Sequence, residues 1–237
     1  MIGTAVRVLQ QLRHDPRTLA MIMVVPCVLL TLLWWVYEGG AVFQQVGAAL
    51  LGVFPVVVMF LITSVATLRE RSSGTLERLL TMPISKPGII GGYALAFGFM
   101  AVLQAVVAAL VVVGPLGLET AAPWGYLVVV AVASALLGMA FGLFVSAFAR
   151  TEFQAVQFMP AVVLPQFLLC GLLVPRDQMP RALELVSDVL PLSYAVDAMR
   201  EVTTDAAPGI GGELLVLAGF VVGLLLLGAA TLRRRTD

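Results

Sequence analysis

Six apolar stretches of roughly bilayer length decide what this chain can fold into. A hydrocarbon layer ~30 Å thick takes ~20 helical residues to cross. Runs of that order extend approximately from Leu19 to Tyr37, Val46 to Leu68, Ile89 to Val113, Tyr126 to Ala149, Phe158 to Val174 and Leu214 to Leu232. The fifth is the shortest and carries Pro160 and Pro165, which fits a kinked span or a broken hairpin. Composition agrees: 60% of the 237 residues are hydrophobic and 12% charged, against about 25% charged in an ordinary soluble domain. A water-soluble single domain is thereby excluded, because a core of this size cannot enclose so many apolar side chains and keep a polar skin. The first run follows 18 mostly amphipathic residues and carries Trp34 and Trp35 near its far end, so it reads as a signal anchor and not as a cleaved leader.

The formal net charge is zero, but its distribution is not even. Of the 14 Lys and Arg residues, 11 fall in one alternate set of segments: Arg7, Arg13, Arg17, Arg69, Arg71, Arg78, Lys86, Arg150 and Arg233 to Arg235. The other set holds Arg176, Arg181 and Arg200, together with nine of the 14 acids. Positive residues stay on the cytoplasmic side, so the split predicts a cytoplasmic-membrane protein with six spans and both termini inside.

Three elements are expected outside the spans. In residues 1–18, Val6, Leu9 and Leu12, with Ile2, recur at three- and four-residue spacings while Arg7, Gln11 and Arg13 fall elsewhere, as in an interfacial elbow helix; a basic tail obeying the positive-inside rule fits the same residues. Between the second and third spans, residues 69–82 offer Ser72, Ser73 and Gly74 as a helix start, two turns from Thr75 to Thr81, and Pro83 as a stop. There Leu76, Leu79 and Leu80 share a face, with Glu77 and Arg78 pointing elsewhere. Such a helix suits docking into a groove on a soluble partner, or resting on the membrane as an inert connector. Residues 175–212 form the long outer segment, expected as re-entrant or surface helices. Leu183, Val186 and Leu190 predict a surface helix, and Pro191 opens another, LSYAVDAMREV, that caps an exit path or bridges two distant spans.

The spans themselves lack chemistry. No Asp, Glu, Lys, Arg or His falls inside any of the six runs, so the proton relays and ion sites of secondary transport are missing. Their polar content is Thr31, Thr63, Ser64, Gln104, Ser134, Ser146 and Gln166, expected to bond helix to helix. His14 is the single histidine, beside Asp15 and Pro16, which leaves no buried Ser and His pair and no metal-binding set. Lys86, the sole lysine, sits in PISKPG with no glycine cradle for phosphate. Cys27 and Cys170 lie in apolar runs and read as packing residues. Gly138 with Gly142 and Gly219 with Gly223 have GxxxG spacing, serving helix contact within one subunit or between two. The chain is thus no enzyme, and any energy for work must come from another chain.

Glu70 with GTLERLLTMPIS, Gly74 to Ser85, resembles the coupling-helix signature of the type-2 ABC exporter permeases (the ABC-2 family), in particular the bacterial drug-exporter branch. The LRHDPRTL stretch, Leu12 to Leu19, and PLSYAVDAMRE, Pro191 to Glu201, agree in order. The resemblance implies a single all-α transmembrane domain over 1–237: six spans, an N-terminal elbow helix, a short cytoplasmic coupling helix and outer helices before the last span. It maps Glu70, Gly74, Thr75, Leu76, Glu77 and Arg78 onto the coupling motif, with Leu76, Leu79 and Leu80 as apolar contact, Glu77 and Arg78 as polar rim and Gly74 as tight turn. It implies two copies of a separate ATP-binding subunit carrying ATP and Mg, a second permease chain, identical or homologous, and no cofactor or nucleic acid on this chain. The short Glu38 to Gln45 segment departs from a domain-bearing pattern and leaves selectivity to the spans. The expected function is the permease subunit of an ATP-driven exporter of lipophilic or amphiphilic compounds, drug-like molecules or lipids, as in multidrug efflux. Alternatives are a flippase for a lipid-linked glycan and a non-transporting membrane scaffold or immunity protein.

Overall fold

A computed structural model describes residues 2–72 and 86–231. The coupling residues Gly74, Thr75, Leu76, Glu77, Arg78, Leu79 and Leu80 lie outside the described residues, and Glu70 lies within them. The described chain is all-α: α1 (Ile2–His14), α2 (Pro16–Val36), α3 (Ala41–Ser72), α4 (Lys86–Val113), α5 (Gly125–Ser146), α6 (Glu152–Leu169), a 3₁₀ turn (Arg176–Gln178), α7 (Arg181–Val189), α8 (Pro191–Thr204) and α9 (Gly211–Thr231). Among the described residues α2, α3, α4, α5 and α9 are long and apolar enough to cross a membrane. The stretch read as a fifth span corresponds to α6, which is shorter, begins at Glu152 and contains three glutamines besides its two prolines.

Local chemistry sets the corners. Asp15 separates α1 from α2 as an N-cap: one carboxylate oxygen accepts the Thr18 amide at 3.2 Å, the other the Thr18 hydroxyl at 2.6 Å, and Pro16 begins the helix. The turn from α2 into α3 needs two left-handed residues, Glu38 at φ 51° and Gly39 at φ 65°. A Cβ on Gly39 would lie 2.7 Å from the Trp34 indole nitrogen, so only glycine fits beneath that ring.

The centre of the bundle is the seam between α3 and α5. A Cβ on Gly138 would lie 2.3 Å from the Val56 carbonyl oxygen, and one on Gly142 2.6 Å from that of Phe60. This GxxxG pair therefore serves close contact inside one subunit. Gly219 and Gly223 face open space on α9. Burial grades outward from the seam: 72% of the α3 span is buried, but only 17% of the α2 and α9 spans. Buried alanines at 96, 101, 105, 108 and 109 let α4 pack close on its neighbours.

Two surface readings change. The buried face of α1 is Ala5, Val8 and Leu12; Ile2 and Val6 point away, because the stripe is set by packing on α4 and not by the bulkiest side chains. On α7, Leu183 and Val186 are exposed and Ser187 is the buried residue, its hydroxyl donating to the Leu169 carbonyl at 2.7 Å. Its successor α8 does not lie on the surface. It inserts beside α3, α5 and α9, burying Leu192, Ala195, Val196, Met199 and Val202, with Met199 3.4 Å from the Cβ position of Gly52.

The span hydroxyls mostly turn back on their own helices: Thr31 donates to the Cys27 carbonyl, Ser64 to Leu61, Ser134 to Val130 and Ser146 to Leu143. Of the polar span residues, Gln166 bonds another helix, accepting the Leu192 amide at 3.3 Å. Among the described residues, buried Gln104 and Thr63 find no hydrogen-bond partner. The expectation of helix-to-helix bonding thus holds for Gln166 and fails for the serines, whose short side chains reach only their own preceding turn.

Candidate functional site

Helix α3 has 32 residues, or about 48 Å at ~1.5 Å per residue, well beyond a ~30 Å hydrocarbon layer. Its last turns therefore stand clear of the apolar stretch. Three successive residues there, each rotated about 100° from the last, hold different parts of the bundle. Arg69 makes a two-pronged pair with Glu152 at the start of α6, 2.8 and 3.0 Å. Glu70 accepts from Arg7 of α1 at 2.7 Å and from the Tyr93 hydroxyl of α4. Arg71 donates to the Ser146 carbonyl at the end of α5.

The Glu70 cluster is more enclosed than the Arg69 pair. Side-chain exposure is 14% for Glu70 and 29% for Arg7, against 49–60% in the Arg69 pair. Arg7 also donates to the Tyr93 hydroxyl at 3.1 Å, closing a triangle among α1, α3 and α4. Burial works against the Arg7 charge, but the hydrogen bond and charge of Glu70 outweigh it and hold the guanidinium above its ordinary range. The Arg69 guanidinium holds Glu152 below the usual carboxylate range. These are structural ion pairs with no nucleophile or metal-ligand set beside them, and among the described residues no group of His, Cys, Asp and Glu is placed to hold a metal.

Of the residues expected at the coupling motif, Glu70 is thus placed at a junction of three helices; the other seven fall outside the described residues. Its partners were not evident from sequence. The apolar spacing of α1 assigns Arg7 to its polar side, yet Arg7 is the residue that reaches α3. Tyr93 carried the better signal, since a tyrosine a turn inside an apolar run needs a partner for its hydroxyl.

The folded chain is a polytopic all-α membrane protein with a surface helix and a polar junction at one end of its bundle. A family profile described as ABC-2 type transporter matches residues 4–203, and the chain belongs to that family. It is 27% identical over 145 residues to the probable multidrug ABC transporter permease YbhS of Escherichia coli, covering 61% of this chain and 38% of that protein. It is 28% identical over 169 residues to the linearmycin resistance permease protein LnrN of Bacillus subtilis, covering 68% and 44%. A match to ABC transporter G family member 20 of Dictyostelium discoideum is 28% identical over 141 residues, covering 60% and 19%. The matched region thus spans less than half the length of each of these relatives.

Proposed function

We propose that this chain is the transmembrane permease subunit of an ATP-driven exporter, moving a lipophilic or amphiphilic compound outward across the cytoplasmic membrane, with both termini cytoplasmic. In this reading residues 69–82 form the coupling helix, seated on a separate ATP-binding subunit present in two copies and carrying ATP and Mg. A second permease chain, identical or homologous, completes the pathway. The observation that carries the reading is the junction at the end of α3. Arg69, Glu70 and Arg71, where the last turn of α3 enters that segment, grip α6, α1 with α4, and α5 respectively. A displacement of that segment by the ATPase is thereby delivered to several helices at once, and rigid elements with two discrete packings carry it across the membrane. The multidrug and linearmycin-resistance names of the relatives support an exporter role.

The test is reconstitution with the ATP-binding subunit in vesicles, following ATP hydrolysis and efflux of fluorescent lipophiles together. A substrate-stimulated ATPase is expected. Glu77→Lys, or deletion of Leu76 to Leu80, should abolish efflux while membrane insertion persists. Unchanged efflux in both would refute the coupling role, and an ATPase indifferent to every lipophile would favour a scaffold.

A further inference from the structure

Beneath the α1–α2 corner lies an open groove of about 700 Å³, bounded by α1, α2, α3, α4 and α6, a volume within the range of small-molecule sites. Its apolar wall is Met21, Leu61, Ile62, Val65 and Phe97, and its mouth carries Asp15, Arg17, Arg69 and Glu70. Along α3 the wall runs from Leu61 to Arg69, about 12 Å at ~1.5 Å per residue, close to the ~15 Å half-thickness of a hydrocarbon core. The groove therefore begins at headgroup level and ends near mid-bilayer.

The two acids and two arginines at the mouth sum to zero, but they are not equally engaged. Asp15 is engaged with Thr18, Arg69 with Glu152, and Glu70 with Arg7 and Tyr93. Arg17 is exposed, and among the described residues its guanidinium makes no hydrogen bond or ion pair. An unmatched cation over an acyl-length apolar slot has the polarity of a lipid with a negative headgroup. We infer that this groove holds an acidic phospholipid, its phosphate on Arg17 and one acyl chain along Ile62 and Val65. The bound lipid would fill the space between the corner helix and α3 and so steady the Glu70 junction. That the lipid comes from the cytoplasmic leaflet rests on the orientation proposed above; the site itself does not.

Native mass spectrometry of the full chain in detergent, titrated with dioleoyl phosphatidylglycerol or dioleoyl phosphatidylcholine, tests this without any ATP-binding subunit. A negative result therefore leaves the exporter reading to its own assay. Phosphatidylglycerol should be retained about fivefold better than phosphatidylcholine, the preference of one cation at an acidic surface. Arg17→Ala should erase the preference and Arg17→Lys keep it. Val65→Trp, which fills the slot, should release both lipids. As a check independent of that variant's folding, phosphatidylglycerol should slow maleimide labelling of Val65→Cys more than phosphatidylcholine does. Equal retention of the two lipids, an Arg17→Ala chain with wild-type preference, or unprotected Val65→Cys would each overturn the site. So would a dimer that Val65→Trp dissociates while lipid retention is unchanged, since the groove's occupant would then be a second copy.

Discussion

Both ends of the bundle gather charge around one arginine, but across very different lengths of chain. At the α1 end Arg7 meets Glu70 and Tyr93, 63 and 86 residues away. At the α8 end Arg176 meets Asp188 and Asp197, 12 and 21 residues away, and stacks over Tyr194 at 5.7 Å. Gly171 (φ 86°) turns tightly beside it, its carbonyl accepting from Arg200 at 2.9 Å. The second cluster staples one local segment, which enters the bundle through α8 and touches α6 through Ser187. The first can assemble only once α1, α3 and α4 are packed, so it registers their relative positions. A long-range polar junction suits transmission, and a local one suits holding a cap.

The seam on which both ends depend gives the largest expected effect. Overpacking ordinarily costs about 1–3 kcal/mol, but the atom facing the Gly138 Cβ position is a backbone carbonyl oxygen at 2.3 Å, which no rotamer change can clear. Gly138→Val should therefore cost more than about 3 kcal/mol and appear as aggregated protein on size exclusion in detergent. Gly219→Val, on the open face of α9, should leave the single chain folded. Equal damage from both would remove the seam from its central place.

Glu70→Ala addresses the contrast directly. Stranding one partner of a fully buried pair costs about 3–5 kcal/mol; with Arg7 29% exposed, about 2 kcal/mol is expected. Hydrogen exchange across α1 should quicken about thirtyfold, while α7 and α8 exchange as before. Acceleration at both ends alike would make the two clusters one cooperative unit.

Much of the bundle could be read from apolar run length, because lipid enforces the helical choice on any such run. Helices α2 to α5 and α9 match their runs within a few residues. The place of α8 could not be read that way: PLSYAVDAMREV is amphipathic enough to lie on a surface, and its burial follows from the space beside Gly52 and Val53 on α3. The site was legible in half. Glu70 stands out through its motif, but its partners Arg7 and Tyr93 are joined by helix packing, which spacing along the chain does not encode.

The α8 cluster also predicts a pH response. Burial pushes the Asp197 carboxyl above the usual range, opposed by the hydrogen bond and charge of Arg176. A carboxyl raised in the folded state contributes stability that is full below the ordinary carboxylate pKa and is lost as pH rises through the raised value. Against Asp197→Asn, the natural chain should gain in melting temperature as pH falls from neutral towards about 4. The opposite slope would mean that the Arg176 ion pair governs the cap.

Acid should do the reverse at the α1–α2 corner, with the smallest effect of the four. The hydrogen bonds from the Thr18 hydroxyl and amide hold Asp15 below the usual range. A depressed carboxyl contributes stability that is present above its ordinary pKa and lost as pH falls through the depressed value. Asp15→Ala removes an N-cap worth about 1 kcal/mol, so at neutral pH the first turn of α2 should exchange about fivefold faster. Asp15→Asn, which still accepts from the Thr18 amide, should keep most of the protection. As pH falls through the depressed Asp15 pKa, the natural chain should converge on Asp15→Ala. Acid thus tightens the local cap and loosens the corner beside the long-range junction. A pH titration read separately at α2 and α8 distinguishes two independent ends from one, since a cooperative unit would shift both in the same direction.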